Sequence, residues 1–343
     1  MQKTKTTHNY DIIISGAGIA GLTLGNILAS AGLKTAIIDP NPKETLQDES
    51  LSGRTVALMN NSLDVLKNAG VWPKLIDRST PLKTMTIIDI SRPQKETIIA
   101  PFDAQDLGKE QYGYNIPHNA LRAALYQQAA NNENIIFYLD TKLSHTEISS
   151  GHIKIDLTNK TEITASLLIG ADGRNSKTRE LAGIAAREQD YDQSAITCII
   201  NHSRTHNDTS TEFHRAGGPL ALVPLPGNQS AIVWVNTTAR TQDILKLKQQ
   251  DFLQTLQDEM QGLLGGLTLA TPPQSWPLKS LKAQTLTAPR IALIAEAAHV
   301  LSPITAQGLN LSLRDIKTLA DIIINAAKLG QDIGSQTTLH LYQ

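Results

Sequence analysis

Hydrophobic positions in the first forty residues form two runs of strand length on either side of a stretch with helical spacing. Residues 10–15 make an isoleucine-rich run, and residues 33–38 make a second run that ends at Asp39. Between the runs, apolar residues recur every three or four positions: Leu22, Leu24, Ile27, Leu28 and Ala31. Gly32 then provides a helix stop signal. This order of strand, helix and strand predicts a βαβ unit.

Farther along the chain, the hydrophobic pattern predicts alternating strands and helices, and after about residue 183 it predicts mainly short strands. Further strands are predicted at 85–90, 97–101, 135–139, 153–157, 163–169, 196–201, 211–214, 220–223, 231–236 and 291–294. Helices are predicted at 62–69, 120–130, 241–264 and 309–327, with Asn119 as the N-cap of the second of these. The short strands between 196 and 236 are separated by Gly, Pro and Asn, which is typical of an antiparallel sheet.

These elements predict an α/β protein with a Rossmann-like nucleotide-binding domain that is split in sequence. That domain is predicted to comprise residues 1–80, 100–185 and 285–343. A mostly antiparallel β-rich substrate domain, inserted into the first, is predicted to comprise residues 81–99 and 186–284.

Composition narrows the classes of partner. The 343 residues carry 31 Lys and Arg against 32 Asp and Glu, so the net charge of −1 predicts no nucleic-acid partner. Cys198 is the single cysteine, which excludes an internal disulfide and every multi-cysteine metal site, and no metal is predicted. There is no apolar run long enough to predict a transmembrane helix, and the polar start lacks the apolar core of a secretory signal.

The glycines after the first predicted strand indicate a phosphate-binding turn. Gly16, Gly18 and Gly21 form a GxGxxG sequence between a strand and a helix. Such glycines allow a tight turn, close approach of a pyrophosphate, and close packing of helix on strand. Asp39 lies 18 residues after Gly21, near the spacing of an acid that binds a ribose hydroxyl. This combination predicts dinucleotide binding but does not separate NAD from FAD.

Two later segments repeat the motif of a strand that runs into an acidic turn. Residues 168–176 read LIGADGRNS, and residues 291–299 read IALIAEAAH before the glycine-containing start of another helix. An acid at a strand end can bind a ribityl or ribose hydroxyl, and a helix start can present N–H groups to a flavin or phosphate. Spacing alone leaves these roles open.

Five ordered segments together resemble the flavin-dependent aromatic-ring hydroxylases, the class A flavoprotein monooxygenases, and most closely the ubiquinone-biosynthesis hydroxylases. The segments are the GxGxxG turn with its acid, SGRTVAL at 52–58, GADGRNS at 170–176, GPLALVPLP at 218–226, and WPL at 276–278 leading into the block 291–315. The resemblance covers nearly the whole chain, and GLNLSLRD at 308–315 is its most specific part.

The resemblance implies a role for each matching residue. Gly16, Gly18 and Gly21 would hold the FAD pyrophosphate, Asp39 the adenosine ribose, and Arg122 would lie near the pyrophosphate. Arg54 would lie beside the flavin, Asp172 and Gly173 in the turn associated with FAD and the nicotinamide donor, and Glu296 near the ribityl chain and pyrophosphate. The isoalloxazine ring would be lined by Pro303, Gly308, Leu309 and Asn310.

Three residues depart from the family pattern. Ala295 and Glu296 stand where the family usually has Gly-Asp, and Ala306 stands where it usually has Gly. Ala295 adds a Cβ at a backbone position that requires a special φ, and Glu296 keeps the charge on a longer side chain. Members of the family also usually begin a further helical segment at about residues 339–343.

The implied activity is hydroxylation of the aromatic ring of a polyprenylated phenol or quinol in ubiquinone biosynthesis. NAD(P)H or another reductant would reduce FAD, and O2 would react with it to give a flavin C4a-hydroperoxide. The implied location is cytoplasmic, with peripheral contact at the inner membrane. Contacts with other ubiquinone-biosynthesis proteins and with further copies of the chain stay open. Three alternatives remain: a flavoprotein oxidase or dehydrogenase on the same fold, an accessory scaffold subunit impaired in flavin binding, and a plain NAD dehydrogenase, which would leave the block 291–315 unexplained.

Overall fold

The apolar runs form the strands of a mixed α/β fold in this computed structural model, which describes residues 8–91, 96–302 and 307–343. The strands there are β1 (His8–Ser15), β2 (Thr35–Ile38), β3 (Thr55–Met59), β4 (Thr80–Leu82), β5 (Thr84–Asp89), β6 (Ile98–Asp103), β7 (Gly113–Pro117), β8 (Ile135–Tyr138), β9 (Leu143–Ile148), β10 (Ile153–Leu157), β11 (Glu162–Gly170), β12 (Ala186–His202), β13 (Thr209–His214), β14 (Leu220–Leu225), β15 (Gln229–Thr237), β16 (Leu267–Leu269), β17 (Gln274–Ala283), β18 (Thr287–Ala288), β19 (Ile291–Leu293) and β20 (His299–Val300). The α-helices are α1 (Ile19–Ser30), α2 (Lys43–Gln47), α3 (Asn60–Asn68), α4 (His118–Ala130), α5 (Lys177–Leu181), α6 (Thr238–Leu245), α7 (Gln249–Glu259), α8 (Gln307–Lys328) and α9 (Gln336–His340).

The first sheet has the strand order β18-β19-β11-β1-β2-β8, and the hairpin β9–β10 joins it through β11. Strands β19, β11, β1, β2 and β8 run parallel to one another, whereas β18 and the β9–β10 hairpin pair antiparallel with β19 and β11. Helices α1, α4 and α8 cover one face, because their apolar sides pack on β1, β2 and β11 in the larger core of the protein. The other face packs against the β9–β10 hairpin and the segment after α5. A buried parallel sheet of this kind is the expected frame for a nucleotide site.

The second sheet is mostly antiparallel, with the order β20-β17-β12-β15-β14-β13-β5-β6. Only the pair of β5 and β13 is parallel among its described strands. Helices α6 and α7 cover one face of it, where Trp234 and Phe252 lie in the core. The three-stranded sheet β3-β7-β4 contacts β14 of the second sheet, and Asn115 of β7 donates to the Pro224 carbonyl across that boundary.

Both predicted kinds of sheet are therefore present, one with parallel central strands and one mostly antiparallel, and the α/β fold class is confirmed. The predicted boundary between residues 99 and 100 falls inside β6, whose partner β5 belongs to the second sheet. The division of the chain into two domains stays a prediction. No helix within the described ranges is both long and apolar enough to cross a bilayer.

Two local predictions were wrong, and one long strand was not predicted. The helix predicted at 241–264 is two helices, α6 and α7. Lys248 between them adopts extended backbone angles, so the helix cannot continue through it. Asn119 lies inside α4, where Pro117 is the N-cap, and the Asn119 side chain donates to the Ser50 carbonyl instead. Strand β17 was missed, because its buried positions Leu278, Leu281 and Ala283 do not alternate regularly.

Candidate functional site

Four turns meet along one edge of the first sheet. Strands β19, β11, β1 and β2 are parallel neighbours, so their carboxyl ends reach the same edge. The turn after each strand carries predicted site residues: Glu296 after β19, Asp172 and Gly173 after β11, Gly16 and Gly18 after β1, and Asp39 after β2. In open α/β sheets, ligands bind outside the carboxyl ends of the strands. The fold thus brings these residues together as the sequence predicted.

The glycine turn has two glycines that the fold requires and one that leaves room. Gly16 has a φ of 109°, and a Cβ there would lie 2.4 Å from the Ala171 carbonyl oxygen. A Cβ on Gly21 would lie 1.9 Å from the Gly16 carbonyl oxygen, because α1 packs directly on the turn. Gly18 is the N-cap of α1, has no side-chain cap, and has open space at its Cβ position. The start of α1 therefore offers N–H groups and room to an anion.

Asp39 has a structural task beside its predicted one. Its Oδ2 accepts a hydrogen bond of 2.6 Å from the Ala17 amide, and its Oδ1 accepts from both the amide and the side chain of Asn41. The carboxylate is buried, and it ties the end of β2 to the glycine turn. Contact with an adenosine ribose stays a prediction for this residue.

The turn after β11 is held by its own carboxylate. Asp172 accepts hydrogen bonds from the Ser176 hydroxyl at 2.5 Å and from the amide and hydroxyl of Thr178 at 2.9 Å. These contacts point the Asp172 side chain toward α5. Gly173 has a φ of 80°, and no other atom lies within 4 Å of its Cβ position.

The turn after β19 shows what the departure from the family pattern does. Ala295 has a φ of 53°, in the left-handed region that glycine adopts without strain. The expectation of a special backbone angle at this position is confirmed. The half-exposed Glu296 carboxylate lies 3.6 Å from Nε of Arg174, so this ion pair joins the turns after β19 and β11.

A buried contact that the sequence did not indicate holds the same turn to α8. Oδ2 of Asp315 lies 2.5 Å from Nε2 of His299 and accepts a 3.3 Å hydrogen bond from the Ala295 amide. The Asp315 carboxylate therefore holds the His299 imidazole against α8. The Tyr342 hydroxyl donates to the Leu293 carbonyl, which packs the end of the described chain beneath this turn.

The start of α8 is open at Gly308, whereas the Asn310 side chain is hydrogen-bonded to the interior of the protein. Gly308 has open space at its Cβ position, which suits the close approach of a flat ring. The buried Asn310 side chain instead points inward, where Oδ1 accepts from the Met59 amide and the Ser62 hydroxyl, and Nδ2 donates to the Ala57 carbonyl. Leu309 is half-buried against the core. Pro303 and Ala306 lie outside the described residues.

Arg54 lies between β17 of the second sheet and the turns after β19 and β11 of the first sheet. The space between these elements is the cleft. The Arg54 guanidinium carbon is 4.9 Å from the centre of the Trp276 ring on β17, and only part of the residue's surface stays exposed. Partial burial lowers the pKa of Arg54, and the nearby charge of Arg174 lowers it further while that of Glu296 opposes the shift. Sequence reasoning missed Trp276 as its partner, since the two residues are far apart in the chain.

Arg122 and His118 lie near Arg54, and Arg122 adds a second positive charge there, whereas the His118 imidazole is neutral. Arg122 donates from Nη2 to the Thr45 carbonyl, while its buried Nε has no hydrogen-bond partner among the described residues. Burial lowers the pKa of His118 to about 4, and the charge of Arg54 adds to the effect. No sequence signal pointed to His118. Cys198, in contrast, is a fully buried core residue whose thiol pKa is raised by burial to about 12.

These features fit FAD. The uncapped start of α1 and the unpartnered Nε of Arg122 suit a pyrophosphate, which is anionic and accepts hydrogen bonds. The open surroundings of Gly18, Gly173 and Gly308 leave space along the strand ends for a long, flat cofactor.

Comparison with known proteins gives the family of this fold. A family model described as "FAD binding domain" matches residues 9–337. The chain is 29% identical over 333 residues to ubiquinone hydroxylase UbiM of Neisseria meningitidis, covering 97% of this chain and 72% of that protein. It is 27% identical over 339 residues to 3-demethoxyubiquinol 3-hydroxylase of Escherichia coli, covering 98% and 85%. The crystal structure of PqsL from Pseudomonas aeruginosa has the same fold, with a TM-score of 0.83 and 18% identity over 98% of this chain and 91% of that one.

Proposed function

Because the chain belongs to the family of FAD-dependent aromatic-ring monooxygenases, we propose that it hydroxylates the ring of a polyprenylated phenol or quinol intermediate in ubiquinone synthesis. The observation that carries the proposal is the shared sheet edge, where the open glycine turns and the start of α8 face Arg54 and the second sheet. Relatives named as ubiquinone hydroxylases support the substrate class.

The residues of this chain divide the work of holding the cofactor. The start of α1 and Arg122 would bind the pyrophosphate, and the turns after β2 and β19 would contact its sugar and ribityl hydroxyls. Gly308 and Leu309 would lie against the flat ring, where Pro303 is also predicted. When bound and reduced, FAD activates O2 for transfer of one oxygen atom to an electron-rich ring.

The protein then has to orient the substrate and exclude water. The second sheet would form the roof over the flavin, and the Arg54 guanidinium would place a positive charge beside the reacting ring. The balance of the reaction is phenol, O2, NAD(P)H and one proton giving the hydroxylated phenol, NAD(P)+ and water. NAD(P)H is proposed as the donor on the family pattern, and it would bind transiently.

The test has two steps. A visible absorption spectrum of the purified protein is recorded after addition of FAD and desalting, and retained flavin bands are expected. The flavoprotein is then supplied with NADPH, a short-chain prenylated phenol and oxygen-18-labelled O2. Product that carries one labelled oxygen would support the proposal. Retained flavin with a two-electron-oxidised product that lacks the label would overturn it in favour of an oxidase or dehydrogenase.

A second candidate is an accessory subunit that binds flavin weakly. It is favoured by one observation: the Glu296 carboxylate, at the position of the family's aspartate, pairs with Arg174, and Ala295 holds a strained backbone angle beside it. The desalting step separates the two candidates, since an accessory subunit would lose its flavin there. In that case the Ala295→Gly and Glu296→Asp double variant is expected to regain it.

A further inference from the structure

Trp276 is held in one orientation without being covered. Its indole N–H donates a 3.0 Å hydrogen bond to the Thr197 hydroxyl, and the Arg54 guanidinium lies against its ring. The side chain nevertheless keeps 38% of its surface exposed. An exposed tryptophan that two separate contacts hold in place is prepared for a flat ligand, because little freedom remains to be lost on binding.

The position of Trp276 in the second sheet directs it to the cleft. Trp276 is opposite Ala195 in the pairing of β17 with β12, and cross-strand partners in an antiparallel pair share a face. Ala195 packs with Val235 and Leu278 on the side away from α6 and α7. Trp234 lies in the core on the helix side and is fully buried. The two tryptophans of this sheet therefore serve different faces.

Arg54 connects this aromatic surface to the edge of the first sheet. It contacts Trp276 on one side, and the charges of Glu296 and Arg174 act on it from the turns after β19 and β11. A ligand beside Trp276 would therefore lie between the second sheet and the strand ends that are proposed to hold FAD. The nearby guanidinium adds a donor for an oxygen on that ligand.

Resting on the function proposed above, we propose that Trp276, held by Thr197 and Arg54, is the ring-binding subsite for a planar phenol. The indole stacks on the aromatic ring of the substrate, and Arg54 faces its oxygen. This subsite selects for an aromatic ring over a saturated ring of the same size, because offset stacking requires two π-systems.

The test compares two probes, 2-allylphenol and 2-allylcyclohexanol, on the FAD-loaded protein. Trp276→Leu is expected to raise the Kd for the phenol about 3- to 10-fold, the equivalent of one lost aromatic contact, with little change for the saturated alcohol. Thr197→Val, which removes only the acceptor of the indole N–H, is expected to give a smaller rise of the same kind. Trp276→Phe keeps a ring and should restore much of the affinity for the phenol.

Trp72→Phe is the matched control, since Trp72 packs on Tyr114 beside α3 and takes no part in this cleft. It should bind both probes as the unaltered protein does. Kd for FAD is measured for every variant and should stay within about twofold of the unaltered protein, equivalent to about 0.4 kcal/mol.

Equal affinity of the unaltered protein and Trp276→Leu for 2-allylphenol would overturn the subsite, as would failure of the unaltered protein to bind the phenol at all. Parallel losses for both probes would also overturn it, because they would show a general structural effect. Selective binding of the phenol without incorporation of labelled oxygen would leave the subsite supported and contradict the proposed hydroxylation.

Discussion

Asp315 on α8 and His299 in the turn after β19 are joined by a 2.5 Å contact between Oδ2 and Nε2, with both side chains about 15% exposed. The same carboxylate oxygen accepts from the Ala295 amide. One side chain thus holds the turn at both ends and fixes it to the helix whose start faces the proposed flavin ring. The conformation of the turn therefore depends on the contacts of Asp315.

Asp315→Asn is expected to lower the free energy of unfolding by about 1 to 3 kcal/mol, since it removes charged hydrogen bonds from a mostly buried place. It should also weaken FAD binding, because the turn loses its anchor. Urea unfolding and titration of flavin fluorescence measure the two effects. Asp321→Asn, which removes an exposed ion pair with Lys317 on the same helix, is the control and should cost less than about 0.5 kcal/mol. Equal effects of the two variants would contradict the anchoring role.

Ala295→Gly is expected to raise the free energy of unfolding by about 0.5 to 1 kcal/mol. The reason is that a φ of 53° strains an alanine and not a glycine, and this relief exceeds the entropy that glycine gains in the unfolded chain. Ala298→Gly is the control in the same turn. Ala298 has a φ of −93° and is buried, so its replacement should destabilise the protein. Thermal unfolding of the three proteins checks the sign, and a less stable Ala295→Gly variant would refute the strain.

The local part of the site could be predicted from the sequence because neighbouring residues carry it. Gly16, Gly21 and Asp39 belong to one strand–helix–strand unit. Their spacing in the sequence predicts the tight turn that both glycines allow and the position of Asp39 beside that turn. The predicted strands at 163–169 and 291–294 place the other two acidic turns on the same edge for the same reason.

The rest of the site depends on contacts that no short pattern contains. Asn310 is predicted to line the flavin ring, and its side chain also accepts a hydrogen bond from the Met59 amide, 251 positions earlier in the chain, which the sequence did not predict. The stacking of Arg54 on Trp276 joins two sheets, and strand β17, which carries the tryptophan, lacks the alternation that would have predicted it. Such pairings follow from the packing of elements, which periodicity along the chain does not specify.

Substitutions at Gly21 and Gly18 in the first turn are expected to affect different properties, the stability of the fold and the binding of FAD. Gly21→Ala should lower the free energy of unfolding by at least about 2 kcal/mol, because its Cβ would overlap the Gly16 carbonyl oxygen. Gly18→Ala should cost less than about 1 kcal/mol, since nothing lies near its Cβ position, and yet weaken FAD binding. Urea unfolding without FAD and a flavin titration distinguish the two effects. A Gly18→Ala variant with unchanged affinity for FAD would show that the pyrophosphate does not approach this turn.

His118 is expected to make stability depend on pH between about 6.5 and 4. Burial first, and the Arg54 charge second, lower its pKa from 6.5 to about 4 in the folded protein. Between these values the unfolded chain binds the proton more strongly, so stability is present above pH 6.5 and is lost as the pH falls toward 4. His118→Gln should remove about 2 to 3 kcal/mol of this dependence, measured as the change in free energy of unfolding between pH 7 and pH 4. His145→Gln, which replaces an exposed imidazole on β9, should follow the unaltered protein. If the His118→Gln curve runs parallel to that of the unaltered protein, the His118 imidazole does not gain its proton in this pH range, and its burial as a neutral group beside the Arg54 charge would be contradicted.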